Sequence, residues 1–237
     1  MIDPSYIDRY SNIDAIYQKL DARVKLLMTV IFIIVMTVFA GDNPLRIIPF
    51  FIFIVILSAM SKLSLKVLFR RSLPAFPFLF FASLTLWFSK GNHPAISVFL
   101  KGLVSVLSVI ILVSTTNFSN LLRGLEGLKT PSLIVSMLSF VYRYVFIITD
   151  EYSHIKIARE SRNFGSSKLW QWKTIGYSVG SLFLHSYERG SRVYSAMTAR
   201  GYNGNIKVQK LQQIGIGDVI FVVISITYLI IAVWILS

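Results

Sequence analysis

The 237-residue chain contains no cysteine, which excludes a disulfide framework and a thiolate metal centre. Acidic residues are scarce, with 11 Asp and Glu against 24 Lys and Arg. No Asp-x-x-Asp or Asp-x-x-x-Asp pair stands in the basic half. The chain therefore lacks the carboxylate cluster with which a lipid-modifying enzyme would hold Mg²⁺ on a diphosphate. There are three histidines, His93, His154 and His185, too few and too scattered for a metal centre built on imidazole. No Gly-x-x-x-x-Gly-Lys-Ser/Thr loop is present, so the chain is not expected to bind ATP itself. A channel or a carrier acting alone would need ionisable or broken polar elements at mid-membrane. The apolar runs offer little of that beyond Lys101 and scattered hydroxyls.

Apolar residues are abundant, at 54% of the chain, with a mean hydropathy of +0.65. Five runs, about 24–40, 45–60, 73–88, 95–117 and 216–236, approach the roughly 17–25 residues that cross a bilayer as helix. The spans must be helical, because lipid offers no partner to a free backbone group. Pro49, Pro74 and Pro77 predict kinked or tilted second and third spans. The stretch before the first run mixes acids and bases, unlike a cleavable signal peptide.

A net charge of +13 in such a chain reports topology rather than nucleic-acid binding, because bases collect on the cytoplasmic side. The loop 61–72 holds Lys62, Lys66, Arg70 and Arg71 and no acid, and segment 118–213 holds 13 bases against 5 acids. Both, with the N-terminus, are expected in the cytoplasm. The run 131–149 is apolar but carries Arg143. Crossing there would place that base at mid-membrane at a cost of about 2.5–3.5 kcal/mol, so this run is expected to lie under or along the membrane.

Within the basic segment, Pro131 suits a helix start, and a helix from there to about Phe164 is stopped by Gly165-Ser166-Ser167. A second runs from about Lys168 to Arg200 and is stopped by Gly201 and Gly204. Their ends repeat at an offset of 38: Ala158 with Ala196, Ser161 with Ala199, Arg162 with Arg200, Phe164 with Tyr202. Two readings remain open at this level. The arginines are ordinary helix caps, favoured by the negative end of the helix dipole, or they are projecting plugs for two equivalent sockets on a partner. Gly176, Gly180 and Gly190 favour close helix crossing. Glu151 and His154 stand at helical metal-ligand spacing, but with no second such pair they read as a solvated face. Glu188 and Arg192 form a favourable i,i+4 pair. Asp21, Arg23 and Lys25 read as interfacial anchors or as contacts for the cytoplasmic helices.

Taken together, "LDARVKLL" (20–27), "YRYVFIITDEYSHIKIARESRNFG" (142–165) and "YERGSRVYSAMTARGYNG" (187–204) resemble the transmembrane (T) component of energy-coupling-factor transporters of the cobalt/nickel type (CbiQ/NikQ-like). The family's two Ala-Arg-Gly-centred motifs correspond here to Ser161-Arg162-Asn163, which keeps only the arginine, and to the intact Ala199-Arg200-Gly201. The resemblance implies an all-α integral membrane protein of about five transmembrane helices and two long amphipathic cytoplasmic coupling helices. Its parts would be 1–117 (four spans), 118–213 (coupling helices) and 214–237 (last span). It implies a non-catalytic subunit of a prokaryotic plasma-membrane importer, with no metal site and no cofactor of its own. Expected partners are two ABC-type ATPases on the two motifs, a membrane substrate-capture (S) protein, a small accessory membrane protein in some members, and lipid. Asp21, Arg23, Lys25 and Arg143 are candidates for contacts between the coupling helices and the membrane edge. A vitamin-type T component is the alternative within the family.

The charge distribution makes a first prediction. A reporter fused at Gly165 should read as cytoplasmic and one at Ser237 as extracytoplasmic; finding both on one side would refute the five-span arrangement.

Overall fold

Asp21 opens the first helix: its backbone is extended and its Oδ1 accepts the Arg23 amide at 2.8 Å, satisfying one of the donors left free at a helix start. The computed structural model describes residues 17–63, 65–161, 168–202 and 215–236. Among them nine α-helices follow in order: α1 Ala22–Phe39, α2 Ile48–Met60, α3 Leu65–Ser72, α4 Phe76–Lys90, α5 Asn92–Thr115, α6 Phe118–Gly127, α7 Ser132–Ser161, α8 Lys168–Ala199 and α9 Ile216–Leu236. Short 3-10 turns stand at Tyr17–Lys19, Pro44–Ile47 and Leu73–Ala75. No strand occurs among the described residues. The chain forms two units, Met1–Leu128 with Gln209–Ser237, and Lys129–Val208.

The first unit holds α1 to α6 and α9. Its core is aromatic. Phe32 of α1 stacks on Phe53 of α2 at 5.1 Å and meets Phe50 edge-on at 5.9 Å. Phe53 in turn stacks on Tyr228 of α9 at 5.1 Å, whose hydroxyl donates to the Pro49 carbonyl at 2.7 Å. Such pairs add about 0.5–1.5 kcal/mol each beyond their buried area. Outward, Phe78, Phe88 and Trp234 are at least three-quarters exposed, a surface suited to hydrocarbon rather than water. At the far end of α1, Lys101 of α5 donates to the Thr37 carbonyl at 3.4 Å.

Prolines start helices instead of kinking them. Pro49 and Pro77 occupy the first turns of α2 and α4, and Pro74 lies in the 3-10 turn that separates α3 from α4. In a first turn the missing N–H has no intrahelical partner to lose.

Five helical stretches are long and apolar enough to cross a membrane: Ala22–Phe39, Lys66–Ser89, Asn92–Thr115, Ser132–Ser161 and Ile216–Trp234. Pro44–Met60, counted as a span from the sequence, is shorter. Its 3-10 turn and α2 together reach about 27 Å, against a hydrocarbon core of about 30 Å. The stretch containing Arg143, by contrast, meets the length and composition measure.

The first unit ends after Leu128, beyond the boundary at 117 expected from the sequence, because α6 packs on α1. Gly124 makes this approach possible: a Cβ there would stand 3.2 Å from the Ala22 carbonyl carbon and 3.3 Å from the Ala22 side chain. The second unit consists of α7 and α8, packed on each other. The close crossing expected at Gly176, Gly180 and Gly190 is not found among the described residues. A Cβ at any of the three would meet nothing within 4 Å, so these glycines leave a small-faced surface on α8 instead of a helix contact.

The two kinds of glycine should respond oppositely to substitution. Gly124→Leu is expected to lower stability by about 1–3 kcal/mol, because the Ala22 backbone cannot yield. Gly176→Ala should raise it by about 0.5–1 kcal/mol through helix propensity. Thermal unfolding of the full chain in detergent reads both changes; a Gly124→Leu protein as stable as its parent would show that α6 is held some other way.

Candidate functional site

The C-terminus of α8 is built by Gly201, whose φ of +84° lies in the region that only glycine enters freely. The Gly201 amide donates to the Thr198 carbonyl and the Tyr202 amide to the Met197 carbonyl, each at 3.0 Å. This is the paired bonding of a Schellman stop, with Arg200 at the cap position. Ala199, Arg200 and Gly201 are all exposed, so Arg200 stands at the negative end of the helix dipole between two small residues. The matching end of α7 reaches Ser161, which is exposed and donates its Oγ to the Ile157 carbonyl at 2.9 Å. Arg162 and Asn163 lie outside the described residues, so the equivalence of the two ends rests on the sequence repeat.

Between α7 and α8 lies an apolar groove of about 420 Å³. Phe140, Tyr144 and Ile148 line it from α7, and Val193, Tyr194 and Met197 from α8, together with Tyr202 just past the helix stop. Glu151 bridges its wall: one oxygen meets His185 Nδ1 at 3.2 Å and the other accepts from Arg189 at 3.1 Å. The pairing of Glu151 with His154 considered from the sequence is therefore replaced by a bridge between helices. Among the described residues no group of three His, Asp or Glu could hold a metal ion. The expected Glu188–Arg192 pair is present at 3.7 Å, with both side chains exposed. Arg143 is exposed on α7.

In the first unit, Lys25 departs from the anchoring role its position suggested. Only 1% of it is exposed. Its Nζ donates to the Gln18 carbonyl at 3.2 Å and to the Thr115 carbonyl at 3.3 Å, and stands 5.1 Å from the centre of the Tyr17 ring. The carboxylates of Asp218 and Asp21 act on it electrostatically. Asp218, 6% exposed, accepts the Asp21 amide on one oxygen and the Gly215 amide on the other, both at 2.8 Å. One side chain thus caps α9 and ties its start to the start of α1. Arg23 reaches Asp21 at 3.9 Å and lies across Gly127, where a Cβ would collide with it. Burial pushes the Tyr17 phenol pKa up, so the ring remains a neutral wall beside the ammonium. Asp218, Thr115 and Gly127 were not picked out from the sequence. The one available signal was the lone acid in the first turn of an otherwise apolar α9.

Residues 15–214 match the family model described as cobalt transport protein, CbiQ, a stretch that includes Lys25 and both helix ends. An uncharacterized protein of Methanocaldococcus jannaschii is 25% identical across 93% of this chain and 83% of its own length. The energy-coupling factor transporter transmembrane protein EcfT of Lactobacillus helveticus is 31% identical across 84% of this chain and 81% of its own. The nickel permease LarQ of Lactiplantibacillus plantarum is 33% identical over a shorter stretch, 38% of this chain and 33% of its own.

The buried ammonium yields a stability prediction. Lys25→Met strips two carbonyls and two buried carboxylates of their cation and should cost about 2–4 kcal/mol. Lys66→Met, at an exposed position, should stay within about 0.5 kcal/mol. Equal unfolding temperatures for the two variants in detergent would remove Lys25 from the centre of this unit.

Proposed function

The chain belongs to the CbiQ family of cobalt transport proteins, and on that premise we propose that it carries ATP-driven movement from cytoplasmic ATPases to a membrane substrate-capture protein during import of cobalt or nickel ions. It is the transmembrane component of an energy-coupling-factor transporter, a multi-pass membrane protein. The cargo reading draws on the family description and on the nickel permease relative. The observation that carries the coupling role is the glycine-stopped end of α8, which leaves Arg200 exposed between Ala199 and Gly201. Ser161-Arg162-Asn163 supplies the second such end by the sequence repeat.

In this reading Arg200 and Arg162 each enter a groove on one of two ABC-type ATPases. A guanidinium forms paired, charge-assisted hydrogen bonds with a carboxylate, and the small neighbours admit the helix end closely. The chain transmits movement and catalyses nothing itself. The N-terminus and the second unit face the cytoplasm of a prokaryotic cell, as the base distribution supports. The apolar half of α7 lies along the membrane, where Arg143 reaches water. The aromatic groove beside Tyr202 and the open glycine face of α8 offer apolar surface to the capture protein.

Truncating one partner of a buried charge pair costs about 2–5 kcal/mol. Arg200→Ala and Arg162→Ala should therefore each weaken co-purification of the ATPases and metal uptake at least tenfold, and the double variant should be worst, with the membrane unit still inserted. Lysine at either position should rescue only in part, since it keeps the charge and loses the planar fork. Wild-type ATPase retention by the double alanine variant would reduce both arginines to helix caps. Uptake of a vitamin in place of either ion by the assembled transporter would assign the chain to the vitamin type.

A further inference from the structure

An apolar groove of about 260 Å³ lies between α2, α3, α4 and α5 in the first unit. The transport reading does not use it. Phe51 and Val55 line it from α2, Phe69 from α3, Phe76 from α4, and Leu103 and Leu107 from α5. Two serines also stand in the wall, and one of them, Ser72, spends its hydroxyl on the Phe69 carbonyl at 2.9 Å. A groove of this kind has little to offer a polar solute. The other serine, Ser58, lies near the end of α2, and Phe51 lies about 10 Å along the helix from it. The groove therefore runs from the turn between α2 and α3 back along the apolar length of α2.

The helix α3 gives its rim a charge of one sign. Leu68 and Ser72, four residues apart, are buried, and Arg71 fixes the helix by donating to the Ser114 hydroxyl of α5. The same spacing brings Lys66 and Arg70 together on the outer side, where both are exposed. Neither has a hydrogen-bond or ion-pair partner among the described residues, and no acid occurs from 61 to 72. Beside them Phe69 and Leu73 are more than half exposed. Lys66 opens the stretch Lys66–Ser89, which is long and apolar enough to cross a membrane, so these bases stand at its edge. A helix that exposes bases and apolar side chains together suits the headgroup region.

We propose that this groove binds an anionic phospholipid, with one acyl chain between α2 and α5 and the headgroup phosphate on Lys66 and Arg70. The tail needs no hydrogen bond, and the phosphate answers two unpaired cations with strong acceptors. One molecule joins these two chemistries at the depth where α3 places them. A soluble anion would leave the groove empty. A neutral lipid or an apolar helix would leave the bases unanswered. In the orientation proposed above, α3 meets the cytoplasmic leaflet, where anionic lipids attract bases next to a span.

The test uses the full-length chain in neutral detergent with equimolar phosphatidylglycerol and phosphatidylcholine of the same acyl chains. Native mass spectrometry counts the lipids retained. Phosphatidylglycerol should be retained in preference to phosphatidylcholine. Lys66→Gln and Arg70→Gln should each lower that preference about fivefold, and the double variant should lower it further. Arg46→Gln, which removes an exposed base before the opposite end of α2, should leave it unchanged. Val55→Trp fills the groove from a position that is 45% exposed, and should lower retention of phosphatidylglycerol about tenfold. Its unfolding midpoint in lipid-free detergent should stay that of the parent. Should Val55→Trp fail to fold, the Lys66 and Arg70 variants, changed at exposed positions, decide alone. Equal retention of the two lipids, retention of neither, or a double variant with the parent's preference would overturn the proposal. So would a folded Val55→Trp protein that retains lipid like the parent, because the bases would then hold a headgroup without the groove.

Discussion

The ammonium of Lys25 is the interaction on which the first unit is organised. It sits at the start of α1, almost wholly out of water, and draws to itself the carbonyl end of α5, the 3-10 turn before α1 and, through Asp218, the start of α9. A lysine in that position is costly unless its charge is answered and its donors are used. Meeting both requirements brings segments almost two hundred residues apart in the chain to one point. The aromatic column of Phe32, Phe53 and Tyr228 then fills the interior between α1, α2 and α9, where packing rather than charge sets the distances.

The second unit follows a different economy. Its two helices present much of their apolar surface outward, including Phe183, Tyr187 and Val179, and meet around a groove bridged by Glu151. Exposed pairs such as Glu188 with Arg192 contribute little to stability. Helix ends that leave this much surface uncovered suit a role in which neighbours complete the packing. The Schellman stop at Gly201 gives the exposed arginine a defined exit from the helix: two backbone bonds hold the last turn, so the side chain projects from a fixed base.

Charge separates the two roles along the chain. Bases gather in the loop 61–72 and the segment 118–213, the asymmetry on which the proposed orientation rests. Lys25, by contrast, is drawn inward, where the carboxylates of Asp218 and Asp21 act on it. The same residue type thus serves as topology signal and as buried strut, according to whether water or a carboxylate is within reach.

The sequence by itself determined the helices and where they stop. Apolar runs of membrane length, the base asymmetry and the Gly201 stop are local properties, read within one or two turns, and α1, α5, α8 and α9 lie close to where these properties place them. The 38-residue repeat was equally visible, although its first arginine falls outside the described residues. Only the tertiary structure decided which way Lys25 faces, since its partners Thr115 and Asp218 are remote in sequence and no local pattern distinguishes a snorkelling lysine from a buried one. It also decided which glycines are contacts. Gly124 faces the Ala22 backbone, whereas Gly176, Gly180 and Gly190 face open space. A glycine's composition and spacing are alike in both cases, and what differs is the element packed against it, which is settled only when the whole chain has closed around its buried charge.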